Sequence, residues 1–148
     1  MKKLVFVLIT LALMMFVVIP VMADDTSDLN YIQSIRAEYM DKINSEGQTM
    51  IFDDIRLVEA GSPYSFPLTV GAGDYEIWGI GGQGVQDLNV LIYSADDTVL
   101  SKDIESNNYP KLSFSEPVSR SHRVEVECSE FDPGVTQGYF LVIVIRND

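Results

Sequence analysis

Outside its carboxylates, this sequence holds few residues that could do chemistry. One histidine, His122, and one cysteine occur among its 148 residues. A Ser-His-Asp triad needs an activated serine in a defined turn, and no Gly-x-Ser-x-Gly pattern is present. His122 alternates in phase with Val124 and Val126, which favours a histidine packed inside a strand pair. No pair of carboxylates suited to hydrolysis stands out among the 22 acidic residues. We therefore predict that the protein is not an enzyme and assign no catalytic residue.

The single thiol, Cys128, cannot form an internal disulfide, even in an oxidising compartment. It continues the alternation of Val124 and Val126, and Glu127 and Glu130 flank it. A reactive thiol needs electropositive surroundings. We predict a buried, unreactive cysteine, with an intermolecular disulfide as the alternative.

Several oxygen-bearing side chains lie near one another in sequence and could converge at one end of the fold to bind calcium. They are Asp87, Asn89, Asp96, Asp97 and Asp103. Calcium takes six to eight oxygen ligands, and no EF-hand spacing is present. The alternative is that these residues occupy turns, where Asp and Asn bond to their own backbone. No metal site and no cofactor are assigned, and calcium near Asp87, Asn89 and Asp103 stays open.

Three aromatic residues, Trp78, Tyr93 and Tyr109, could stack on a sugar ring or a peptide. Aromatic residues in strands more often pack in a core or on a sheet face. The segment Gly79–Gly84 resembles a phosphate-binding loop, but such loops precede a helix, whereas residues 85–93 have the pattern of a strand. We interpret the segment as a turn where backbones approach closely, and ligand-binding residues remain unassigned.

Length and charge narrow the class of protein. A chain of 148 residues allows one domain, and 47% hydrophobic residues suffice for a core. The net charge of −12 argues against a nucleic-acid partner, because phosphate binding needs a basic surface. The acidic surface favours a cationic partner or simple solvation.

Residues 1–23 have the pattern of a secretory signal peptide. Lys2 and Lys3 precede an uncharged apolar run over residues 4–19, Pro20 breaks it, and residues 21–23 (Val-Met-Ala) supply a cleavage site. The alternative is an uncleaved anchor, although a spanning helix needs about 20 apolar residues. Cleavage takes the net charge from −12 to −14, places the protein in the periplasm or outside the cell, and leaves it no membrane segment.

The remaining sequence predicts one helix followed by strands. An apolar stripe with helical spacing predicts a helix over residues 28–45, capped by Ser27 or Asp28 and ended by Gly47, within an N-terminal segment 24–47. From residue 48 to 148 the period becomes two, with seven or eight short strands between turns, which predicts an all-β sandwich. Because residues 139–145 are apolar on both faces, we expect the helix to cover an outer patch containing Trp78 and Ile80.

The order of strands and turns over residues 60–146 resembles the bacterial pre-peptidase C-terminal domain. The matching segments are residues 64–66 (YSF), 73–77 (GDYEI), 87–93 (DLNVLIY), 94–97 (SADD), 109–114 (YPKLSF), 123–126 (RVEV) and 138–139 (GY), with Asp103. The resemblance implies an antiparallel jelly-roll-like β-sandwich that acts as an extracytoplasmic accessory module. Related domains bind collagen or carbohydrate, some with calcium. Asn89 and Ser94 stand where the family usually has aspartates. We expect a non-catalytic module for binding or adhesion, with an unknown protein or glycan as its partner. The alternatives are a calcium-stabilised module that binds carbohydrate or protein, and a small secreted hydrolase.

Overall fold

The computed structural model describes residues 25–147, so the predicted signal peptide lies outside the described residues. One helix precedes eight strands. They are α1 (Asp25–Ser45), β1 (Thr49–Glu59), β2 (Tyr64–Val70), β3 (Gly73–Gly81), β4 (Val85–Tyr93), β5 (Val99–Asp103), β6 (Lys111–Glu116), β7 (Arg120–Phe131) and β8 (Gln137–Asn147). The change of sequence period after Gly47 therefore marks the change from helix to strand.

The strands form two antiparallel four-stranded sheets. Sheet A has the order β1-β8-β3-β6, and sheet B has the order β2-β7-β4-β5. Strands that follow one another in sequence thus often lie in opposite sheets, which is the arrangement of a jelly roll. The predicted fold class, a jelly-roll-like antiparallel β-sandwich of seven or eight strands with one N-terminal helix, is confirmed, and the structure has eight strands.

The main core lies between the two sheets. Inward residues alternate with outward ones along β2, β4 and β7, as expected for strands with one solvated face. The core contains buried side chains from both sheets, among them Phe66, Tyr75, Ile77, Leu88, Val90, Ile92, Val124, Val126, Phe140, Val142 and Val144. The outward face of sheet B remains mostly polar.

A second apolar cluster lies between α1 and the outer face of sheet A. Its buried members are Ile32, Ile43, Trp78, Ile80, Leu141, Ile143 and Ile145. The Tyr39 ring meets the Trp78 ring edge-on, with centroids 5.6 Å apart. Alternate residues of β8 therefore enter different cores, which explains why that strand is apolar on both faces. The expectation that the helix covers Trp78 and Ile80 is confirmed.

The two ends of α1 differ in how well the sequence predicts them. Gly47 ends the helical segment with a positive φ of 73°, and the Gln48 amide donates to the carbonyl of Ile43 at 3.1 Å. Glycine adopts this left-handed conformation without strain. The predicted cap at Ser27 or Asp28 is wrong, because the helix begins at Asp25.

Asp28 instead connects the helix to the sandwich. Its side chain is buried and accepts hydrogen bonds from the backbone amides of Gln83, at 2.8 Å, and Tyr139, at 3.3 Å. A Cβ at Gly82 would lie 2.7 Å from the Tyr139 carbonyl oxygen and 2.8 Å from Asp28 Oδ1. The glycine-rich segment is thus a point of close approach, although β3 extends to Gly81, so the loop itself is shorter than expected.

Candidate functional site

His122 occupies an inward position near the start of β7, at one end of the sandwich. It is only 5% exposed, and its ring meets the edge of Phe114 from β6 in the opposite sheet, with centroids 5.7 Å apart. The interpretation of His122 as a packed histidine is confirmed.

A buried carboxylate, Glu116, lies beside this imidazole. Its Oε1 is 3.1 Å from His122 Nε2, and its Oε2 is 3.8 Å from Arg120 Nε. The histidine contact lacks hydrogen-bonding geometry, so both ring nitrogens and Glu116 Oε2 are buried without a hydrogen-bond partner. Buried polar atoms in folded proteins rarely remain unpaired. Glu116 and His122 are two of the three buried polar or charged residues in the described part of the chain.

A cavity of about 570 Å³ opens onto His122. Its lining comes from the β4–β5 turn, from β5 and from the start of β7: Ser94, Ala95, Asp96, Thr98, Leu100, Arg120, Ser121 and His122. This volume lies in the usual range for small-molecule sites. If the protein were an enzyme, the sequence predicted a cleft around His122, and the structure has a cavity at that position.

The cavity does not assemble a catalytic triad among the described residues. The single proton of Ser94 Oγ has two acceptors within reach, Asp96 Oδ1 and the carbonyl of Thr98, and Ser121 Oγ is 2.8 Å from Thr69 Oγ1. Neither serine is hydrogen-bonded to His122. Hydrogen bonds from Ser94 and Thr98 lower the pKa of Asp96, which keeps that exposed carboxylate ionised. The arrangement can bind a ligand but shows no activated nucleophile.

Sequence reasoning missed Glu116 and Arg120. Glu116 continues the inward alternation of Leu112 and Phe114 on β6. A charged residue at an apolar position of such a pattern is a signal that could have identified it. The pairing with His122 could not be predicted, because β6 and β7 belong to different sheets.

The five candidate calcium ligands do not converge. Asp96 and Asp97 follow the end of β4, whereas Asp87 lies near its start, at the opposite end of the strand. The five residues therefore do not meet at one end of the sandwich, as calcium binding by all of them would require. Asn89 lies on β4 between them, with its Oδ1 buried and without a hydrogen-bond partner.

Asp87 and Asp103 lie at the same end of sheet B and bond to nearby residues. Asp87 accepts from the backbone amide of Asn107 at 3.3 Å and from Ser129 Oγ at 2.6 Å. Asp103 accepts from the amides of Glu105, at 3.1 Å, and Lys111, at 2.8 Å. Within residues 25–147, no group of three or more His, Cys, Asp or Glu side chains is placed to hold a metal ion.

The three aromatic candidates do not form one platform. Trp78 is only 7% exposed and serves as an anchor for α1, while Tyr109 is half exposed and lines a small cavity of about 150 Å³ beside it. Tyr93 lies on the other sheet, where the Arg123 guanidinium is 3.9 Å from its ring centroid. The three therefore share no stacking surface, because β3 and β4 belong to different sheets.

Cys128 is fully buried in the main core. Burial raises the pKa of its thiol to about 11. The prediction that Cys128 is buried is confirmed. Its low reactivity stays a prediction, which the raised pKa favours because the thiolate is the reactive form.

Fold and site together define a class: an eight-stranded jelly-roll module with one sheet face covered by a helix and a polar cavity at one end. No helix within residues 25–147 is long and apolar enough to cross a membrane. No protein-family model and no curated protein matches the chain.

Solved structures similar to the chain include three bacterial domains of low sequence identity. The pre-peptidase C-terminal domain of a collagenase from Bacillus anthracis is 13% identical, with 63% of this chain and 87% of that chain covered and a TM-score of 0.48. A periplasmic inhibitor of g-type lysozyme from Aeromonas hydrophila is 11% identical, covering 69% and 90%, with a TM-score of 0.46. A carbohydrate-binding module of Cellvibrio mixtus lichenase 5A, in complex with cellotriose, is 12% identical, covering 68% and 89%, with a TM-score of 0.36. A pre-peptidase C-terminal domain is thus among the structures that the chain resembles, as the sequence pattern predicted.

Proposed function

We propose that the protein is an exported, non-catalytic module that binds a protein or glycan outside the cytoplasm. One observation carries the proposal: the end cavity contains the sole imidazole, yet its two serine hydroxyls bond elsewhere. A cavity with hydrogen-bonding groups and no activated nucleophile is suited to binding. The signal-peptide pattern of residues 1–23 supports export.

The first test is whether the purified protein associates with extracytoplasmic material. Washed cell-envelope fractions and an array of immobilised glycans are incubated with the protein, and retention is measured as the salt concentration rises. A cationic protein partner predicts retention that weakens with salt, because screening reduces interactions between exposed charges. Absence of retention on every fraction and every glycan would contradict the proposal. Export is measured separately by fractionating cells that produce the full chain, with Leu13→Arg as the variant expected to disrupt the apolar run.

A hydrolase is the second candidate, because the Glu116 carboxylate lies 3.1 Å from His122 Nε2, and a histidine beside a carboxylate is part of a catalytic triad. Chromogenic esters, peptides and glycosides are the substrates to assay. We expect no turnover, and any turnover abolished by His122→Gln in a folded protein would establish the hydrolase instead.

A further inference from the structure

The end cavity presents two oppositely charged side chains to any molecule that enters it. Asp96 belongs to the β4–β5 turn on one side, and Arg120 belongs to the start of β7 on the other. Both residues are exposed. Among the described residues, they are the only carboxylate and the only guanidinium that line this cavity. The accessible part of the cavity is therefore dipolar, with one negative and one positive group.

The turn holds the Asp96 carboxylate in place. Asp96 Oδ1 lies within hydrogen-bonding reach of Ser94 Oγ and accepts from the Thr98 backbone amide at 3.3 Å. The turn itself is tied to β7, because Asp97 Oδ1 is 3.1 Å from Nη2 of Arg123. An ionised carboxylate has about four sites that accept hydrogen bonds, so Asp96 retains capacity for an ammonium group.

Arg120 is oriented by a carboxylate that lies below the surface. Its Nε is 3.8 Å from Oε2 of the buried Glu116, a distance that attracts the two charges but is too long for a hydrogen bond. The N–H groups of the exposed guanidinium can therefore still bind a carboxylate, which a guanidinium holds through two parallel hydrogen bonds.

The separation of the two charges fits a short chain molecule. Only β4 lies between β5 and β7 in sheet B, and neighbouring strands are about 4.8 Å apart. The β4–β5 turn and the start of β7 are thus separated by about 5–10 Å. An extended peptide spans about 3.3–3.6 Å per residue, so the ends of a dipeptide or tripeptide lie roughly 7–10 Å apart.

The two charges select a ligand that carries both signs. A ligand with carboxylate groups alone would be repelled by Asp96, and one with ammonium groups alone would be repelled by Arg120. A peptide with free ends has an ammonium at one end and a carboxylate at the other. Between the two charges, Ala95 and the half-exposed Leu100 provide apolar surface for a side chain.

We propose that the end cavity binds a short peptide with free ends, whose ammonium contacts Asp96 and whose carboxylate contacts Arg120. The cavity of about 570 Å³ is in the usual range for small-molecule ligands. The ring of His122 forms part of the wall and makes no hydrogen bond to the ligand, since its nitrogens are buried. This inference rests on the proposed function, because it assigns the binding module a ligand of the peptide class.

The test compares four forms of the tripeptide Ala-Leu-Ala, which are free, N-acetylated, C-amidated or capped at both ends. Binding to the purified full chain is followed at constant pH by the NMR resonance of Cε1–H of His122, the sole histidine. Each peptide is added to about 50 mM, which more than half saturates a site with a Kd of about 10 mM. We expect a saturable shift with the free peptide. Each cap removes one charge and should raise the Kd about two- to fivefold, the usual effect of losing an exposed ion pair.

Substitutions then assign each end of the peptide to its side chain. Asp96→Asn should raise the Kd of the free peptide about two- to fivefold and make acetylation without further effect, and Arg120→Gln should do the same for amidation. Glu105→Gln and Lys102→Gln are the matched controls, since both residues are exposed and neither lines the cavity. They should leave every Kd unchanged, and thermal melts establish that each variant is folded.

Two results with the wild-type protein would overturn the proposal without any variant. They are the absence of a shift with the free peptide, and equal Kd values for the free and the doubly capped peptide. An acetylation effect that persists in folded Asp96→Asn, or an amidation effect that persists in folded Arg120→Gln, would overturn the assigned contacts. Retention on envelope fractions without a peptide response would refute this inference alone, whereas the absence of both would also refute the proposed function.

Discussion

Asp28→Ala should destabilise the protein far more than its position in a helix suggests. The carboxylate is 3% exposed and accepts hydrogen bonds from the Gln83 and Tyr139 amides at 2.8 and 3.3 Å. Alanine leaves both buried donors unpaired, at about 1–3 kcal/mol each. Because the second bond is long, we expect a total loss of about 2–5 kcal/mol. Domains are usually stable by only about 5–15 kcal/mol, so the loss is a large fraction of the whole.

Urea denaturation measures this loss. With a slope of about 2 kcal/mol per molar urea, the middle of the usual range, the midpoint should fall by roughly 1–2.5 M. Asp41→Ala is the matched control, since it removes the same charge from an exposed position of α1, and exposed substitutions usually change stability by less than about 0.5 kcal/mol.

Asp28→Asn tests the mechanism. Its single amide oxygen can accept from one backbone amide, but its NH₂ group then faces the other donor. The free energy of unfolding should therefore fall for Asn as well, by less than for Ala. If Asp28→Ala and Asp41→Ala had the same stability within about 0.5 kcal/mol, the two hydrogen bonds would not hold the helix to the sandwich.

Three further predictions concern close packing, the thiol and calcium. Gly82→Ala should lower the free energy of unfolding, measured by urea denaturation, by about 1–3 kcal/mol, because its Cβ would lie 2.7 Å from a backbone oxygen. Gly71→Ala is the control, since the space around its Cβ is open, and equal effects of the two substitutions would contradict the close approach at Gly82. Cys128 should react with a thiol reagent only as fast as the protein unfolds, and fast labelling of the folded protein would contradict its burial. Because folding raises the thiol pKa from 9.0 to about 11, the free energy of unfolding should decrease as the pH increases through that interval. The melting temperature in calcium should equal that in chelator, because Asp87 already accepts two hydrogen bonds. A rise in melting temperature on the order of 10 °C that Asp87→Ala abolishes would establish a calcium site instead.

Local patterns predicted most of the fold. The stripe Leu29, Ile32, Ile35, Tyr39 and Ile43 identified the helix and its buried face, and all five side chains belong to the cluster on sheet A. Such patterns report which face of an element is buried, which is why they also predicted that β8 is covered on both sides.

Contacts between distant elements could not be predicted in the same way. Asp28 has the residue type of an N-cap, and nothing local shows that its carboxylate meets amides 55 and 111 residues further along the chain. Glu116 and His122 are close in sequence, but their contact depends on a crossing from sheet A to sheet B. The candidate site was missed for this reason, since its partners are set by topology and not by spacing.

The placement of the helix and the cavity separates stability from binding. Ile43 is buried against the outer face of sheet A, whereas the cavity is lined by residues of sheet B and its β4–β5 turn. Ile43→Ala should cost about 2–5 kcal/mol of stability, yet sites without shared partners act independently. Below its melting temperature this variant should therefore be retained as strongly as the wild-type protein on any envelope fraction or glycan that binds the module, whereas Ser94→Ala should lose retention without losing stability. A joint loss of affinity and stability in Ile43→Ala would mean that the helix shapes the cavity through the core.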